Sequence, residues 1–82
     1  MADVIVYSTN TCPYCVMAKQ WLKEKKVEFE EVNVGTDQER AREMIKKSGQ
    51  MGVPVIDIKG DIIIGFDRPK MENSLKTKGI VK

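Results

Sequence analysis

Hydrophobic residues in this chain come in short blocks whose spacing alternates between strand-like and helix-like. Val4-Ile5-Val6-Tyr7, within residues 3–8, is a continuous apolar and largely β-branched run, the pattern of a central strand covered on both faces. From Pro13 to Lys25 the period lengthens: Tyr14, Cys15, Ala18, Trp21 and Leu22 fall on one face of a helix, with Lys19, Lys23 and Lys26 on the other. Trp21 on that stripe reads as core. Residues 27–34 return to an imperfect alternation, Val27, Phe29, Val32 and Val34 against Glu28, Glu30 and Asn33, and predict a second strand ended by Gly35.

Thr36-Asp37-Gln38-Glu39 has the form of a capping box opening a second helix, whose stripe of Ala41, Met44 and Ile45 runs up to Ser48-Gly49. Residues 54–58 and 61–65 are strand-like and separated by Lys59-Gly60, short enough for a two-residue hairpin turn in which Gly60 supplies a positive φ. Asp67 then caps a third helix starting near Arg68 and Pro69, with Phe66 and Met71 placed as a hydrophobic staple and Met71 and Leu75 facing the sheet. The order is β-α-β-α-β-β-α. A helical crossover favours a parallel first pair and the hairpin an antiparallel last pair, which predicts an α/β fold with a four-stranded mixed sheet and helices on both faces. These arguments leave the strand order open.

At 82 residues the chain makes one domain, residues 1–82, with room for a single core. Fourteen Lys and Arg against twelve Asp and Glu give a net charge of +2, too small and too interspersed for a nucleic-acid footprint. Lys70, Lys76, Lys78 and Lys82 thicken the basic charge near the end and read as a solvated helix face. Met1-Ala2-Asp3-Val4 has no basic segment followed by a long apolar run, and no stretch approaches the length of apolar residues that a membrane span needs. The expectation is a soluble, unprocessed monomer.

Candidate chemistry lies in Cys12-Pro13-Tyr14-Cys15, which holds the only two cysteines. The pair sits where the first strand turns into the first helix. Free N–H groups at a helix start favour an anion, and the thiolate is the nucleophile in disulfide exchange. Pro13 suits the first helical position because its missing N–H is not needed there. Cys12 is therefore the expected attacking thiol and Cys15, one turn further in, the resolving thiol. A zinc site would need about four Cys or His ligands, and the chain has no His and no third Cys. A purely structural bridge would close so small a loop that it removes little entropy from the unfolded chain. Thiols that cycle fit a reducing compartment, the cytoplasm by default.

With CPYC between the first strand and helix, Gly52-Val53-Pro54 opening the third strand and Gly65-Phe66-Asp67 after the fourth, the chain resembles the glutaredoxins over nearly its whole length. The resemblance implies a thioredoxin fold with strand order 2-1-3-4. It also implies a cis Val53-Pro54 bond, so that the Val53 backbone can pair with substrate beside Cys12. Glutathione is the implied co-substrate, with no bound cofactor and no metal; Thr9, Val53, Pro54, Gly65, Phe66, Asp67 and Arg68 are the implied binding residues, and Pro13 and Tyr14 flank the motif. Thr9 stands where many members carry Lys, and Gly52 where they carry Thr. Asp67 matches the aspartate that meets the γ-glutamyl end of glutathione. Phe66 and Arg68 are similar to the Gly-Phe-Arg-Pro ending of glutaredoxin-like redoxins that reduce ribonucleotide reductase and draw electrons from thioredoxin reductase. Glutathione, thioredoxin reductase and disulfide-containing protein substrates are thus the expected partners. Two rival roles are an iron–sulfur cluster held between two chains and a passive partner domain whose cysteines never turn over.

Overall fold

The alternating periods resolve into seven elements in the expected order: β1 (Val4–Ser8), α1 (Pro13–Glu24), β2 (Glu30–Asn33), α2 (Gln38–Ser48), β3 (Val55–Ile58), β4 (Asp61–Ile64) and α3 (Arg68–Thr77). The computed structural model describes residues 3–80, so Met1, Ala2 and Lys82 of the sequence reading lie outside the described residues. The strands form one sheet in the order β2-β1-β3-β4. β1 runs parallel to β2, and the β1–β3 and β3–β4 pairs are antiparallel.

Side-chain alternation across this sheet produces two apolar layers. Val4, Val6, Ile56, Ile58 and Ile63 pack against Ala18 and Leu22 of α1 and Met71 and Leu75 of α3. Tyr7, Val32 and Val55 pack on the other face against Met44 of α2. Helices therefore cover both faces. Val4, Val6 and Tyr7 are fully buried, which is why β1 reads as an unbroken apolar run. Trp21 is partly buried at the margin of the α1–α3 layer. Phe66 packs against the same layer that holds Met71.

Two local expectations are corrected and a third is borne out and extended. The second strand does not begin at Val27: Lys26 takes a left-handed φ of 59°, its N–H bonds to the Lys23 carbonyl, and the Val27 N–H reaches back to the Leu22 carbonyl. This is a Schellman end to α1, with Val27 and Leu22 in one apolar cluster. Lys replaces the usual Gly, so the stop is hidden in the sequence. In α2 the cap is Asp37, whose side chain accepts from the Arg40 N–H, while the Thr36 hydroxyl donates to the Asn33 carbonyl. The Thr36–Glu39 box is not formed. In the hairpin both Lys59 (φ 48°) and Gly60 (φ 98°) are left-handed, as a type I′ turn requires, and Asp57 Oδ1 accepts from the Gly60 N–H at 2.8 Å.

A polar network fastens α2 to the sheet. Lys47 Nζ donates to Asp57 Oδ2 at 2.7 Å and to the Tyr7 hydroxyl at 2.9 Å, and the Tyr7 hydroxyl donates to Glu43. Burial opposes the Lys47 charge, but the bonds to Asp57 and Tyr7 outweigh it and raise its pKa. Among the described residues no helix is long and apolar enough to cross a membrane.

Candidate active site

Cys12 is the N-cap of α1, in extended conformation with Pro13 next in the helix. Its Sγ accepts a hydrogen bond from the Cys15 N–H at 3.2 Å. That contact is the sulfur counterpart of an oxygen N-cap, and it aims an otherwise unpartnered helix N–H at the sulfur. Cys12 is partly exposed whereas Cys15 is fully buried, and both are free thiols. The Val53–Pro54 peptide is cis, and the Val53 carbonyl lies 3.8 Å from Cys12 Sγ.

Burial, reinforced by the hydrogen bond and charge of Cys12, pushes the Cys15 thiol up to about 12. The Thr9 backbone and the Lys19 ammonium pull in the other direction. The two thiols thus stand in different settings: one at the surface with an N–H on it, the other enclosed and held protonated.

The turns before β3 and after β4, which carry most of the other residues singled out in the sequence, lie at the same end of the sheet as this pair. Tyr14 is largely exposed beside the motif. Gly65 is left-handed (φ 82°), and its N–H bonds to the Pro54 carbonyl at 2.8 Å, which ties the turn after β4 to the start of β3. Asp67 caps α3, its Oδ1 accepting from the Lys70 N–H at 3.3 Å. Arg68 is exposed, and with Phe66 it lines a shallow groove of about 220 Å³ together with Met17, Gln20, Trp21 and Glu24. Trp21, read from sequence as core alone, is both core margin and groove wall.

Two contributors escape the sequence reading. Gln50 clasps Gly52 from both sides: its Nε2 donates to the Gly52 carbonyl at 3.0 Å and its Oε1 accepts from the Gly52 N–H. It thereby steadies the approach to Val53. Lys19, assigned to the solvent face of α1, instead bonds Glu31 of β2 at 2.6 Å with its side chain mostly covered. Its spacing of four from Cys15 was the available signal. Among the described residues, no three His, Cys, Asp or Glu side chains are grouped so as to hold a metal ion.

Comparison with known proteins gives a consistent result. The family model described as Glutaredoxin matches residues 4–63. The chain is 44% identical over 71 residues to a glutaredoxin-like 8.6 kDa protein of the rubredoxin operon of Clostridium pasteurianum, covering 87% of this chain and 95% of that one. It is 43% identical over 67 residues to Glutaredoxin 3 of Escherichia coli, covering 82% of this chain and 81% of that one. The crystal structure of an Archaeoglobus fulgidus glutaredoxin superposes with a TM-score of 0.86 at 25% identity, covering 93% of this chain and 88% of that one.

Proposed function

This chain belongs to the glutaredoxin family and is a thiol–disulfide oxidoreductase of that type, and on that premise we propose that Cys12 attacks the disulfide and Cys15 resolves the intermediate. The observation that carries the assignment is the inequality of the two thiols. Cys12 is accessible and accepts a helix N–H, whereas Cys15 is buried with its proton held tightly.

In the proposed cycle the Cys12 thiolate attacks one sulfur of a substrate disulfide, forms a mixed disulfide with that half and releases the other half as a thiol. Cys15 then loses its proton and attacks Cys12 Sγ, closing the Cys12–Cys15 disulfide and releasing the second thiol. Two electrons pass to the substrate. Alternatively a second glutathione attacks the mixed disulfide and spares Cys15. The Val53 carbonyl, 3.8 Å from Cys12 Sγ, is placed to accept from a substrate backbone N–H lying across the sulfur. Glutathione as reductant, with Thr9, Val53, Pro54, Gly65, Phe66, Asp67 and Arg68 around it, is supported by family membership. The exposed Arg68 guanidinium offers the carboxylate partner that Thr9, in place of Lys, does not. We place the protein in a reducing cytoplasm.

The Phe66 and Arg68 ending favours thioredoxin reductase as a second electron source. Comparing reduction of the oxidised protein by glutathione and by a thioredoxin reductase separates the two. The assignment itself predicts that Cys12→Ser abolishes turnover and that Cys15→Ser still reduces glutathione mixed disulfides. Turnover by Cys12→Ser would overturn it.

A further inference from the structure

The resolving step starts from a buried sulfur. Cys15 is fully enclosed, and burial together with Cys12 opposes its ionisation, yet it attacks only as a thiolate. Some neighbour must favour that anion. The Thr9 backbone and the positive charge of Lys19 both do so.

The placement of Lys19 is specific. It follows Cys15 by one helical turn, so the two side chains share a face of α1, and helical side chains lean toward the N-terminus, here toward the dithiol. Only 18% of its side chain is exposed, and Nζ lies 2.6 Å from Glu31 Oε1. Glu31 is the register partner of Val6 in the parallel β1–β2 pair, and Val6 packs in the α1 layer. The ion pair therefore bridges α1 to the sheet on the side that holds Cys15. A charge held there is screened less by solvent than one on the open surface.

We propose that Lys19, anchored by Glu31, is a positioning residue whose ammonium favours the Cys15 thiolate during resolution of the mixed disulfide. In that step the Cys15 proton leaves to solvent, the thiolate forms the bond to Cys12 Sγ, and the bond from Cys12 to the captured sulfur breaks. The departing thiolate takes up a proton. The inference rests on the proposed roles of Cys12 and Cys15 and adds a residue that acts on the second of them alone.

Rapid mixing of the reduced protein with oxidised glutathione, acid quenching and intact mass spectrometry follow both steps, formation of the mixed disulfide and its decay to the internal disulfide. A tenfold loss of thiolate slows attack only about threefold, because the more basic sulfur is also the stronger nucleophile. Lys19→Gln is accordingly expected to slow the decay about threefold while formation changes less than about twofold. Lys19→Arg should decay as the unmodified protein does, and Lys19→Glu more slowly than Lys19→Gln. Formation serves as the internal check on folding. Unchanged decay in Lys19→Gln, equal slowing of both steps, or an arginine variant as slow as the glutamine one would overturn the proposal. If the unmodified protein never closes the internal disulfide, it is the role of Cys15 that fails.

Discussion

Two thiols one helical turn apart differ because each backbone position gives its sulfur a different partner. Cys12 receives an N–H, while Cys15 receives enclosure. The second effect links to stability. The Cys15 thiol rises from its ordinary 9.0 to about 12 in the folded chain, so below about 9 folded and unfolded states both keep the proton. Between about 9 and about 12 the unfolded chain loses it and the folded chain does not, and stability falls as pH rises. The expected slope is up to about 1.4 kcal/mol per pH unit. Tyr7 is raised by burial and its bond to Glu43 and acts in the same direction. Urea unfolding of Cys15→Ala alongside the unmodified chain isolates the cysteine part: the variant should show a shallower alkaline decline, and equal slopes would contradict the account.

At the scale of elements, caps and turns decide where the pattern stops. The ends legible in the sequence carried conventional residues: Pro13 at the start of α1, Gly49 left-handed after α2, Asp67 before α3. Those missed were written in unconventional ones. Lys26 takes the left-handed place usually given to Gly, so α1 turns off before Val27, and the apparent alternation from 27 onward is part helix end and part strand. Asp37 and Thr36 are both good caps by type, and only the position of the Arg40 N–H chooses between them. Asp37→Ala should therefore cost about 1 kcal/mol in denaturant unfolding, and Thr36→Ala less than about 0.5 kcal/mol, as for an exposed substitution away from a cap. Equal losses would restore Thr36 as the cap.

For the whole molecule, one sheet order brings distant segments to a single edge of the chemistry: the β1–α1 turn with the cysteines, the approach to β3 with Val53, and the β4–α3 turn with Gly65, Phe66 and Asp67. Parallel and antiparallel pairing followed from element order, but the neighbours of β1 followed only from family resemblance, since Val4-Ile5-Val6-Tyr7 says that it is covered and not by what. The site was legible where chemistry is written locally, as in CPYC. It was not legible where partners come from other elements, as Lys19 finds Glu31. Both helices on the cysteine face share one small core, so Leu22→Ala, fully buried between α1 and the sheet, should cost about 2–5 kcal/mol in urea unfolding, a large share of the roughly 5–15 kcal/mol of a small domain. A loss under about 1 kcal/mol would mean that the α1 layer is not packed as described. The division of labour between the sulfurs is tested most directly by limited alkylation of the reduced protein with iodoacetamide at neutral pH, followed by peptide mass spectrometry. Cys12 should be labelled first and Cys15 stay largely unmodified; preferential labelling of Cys15 would overturn the assignment.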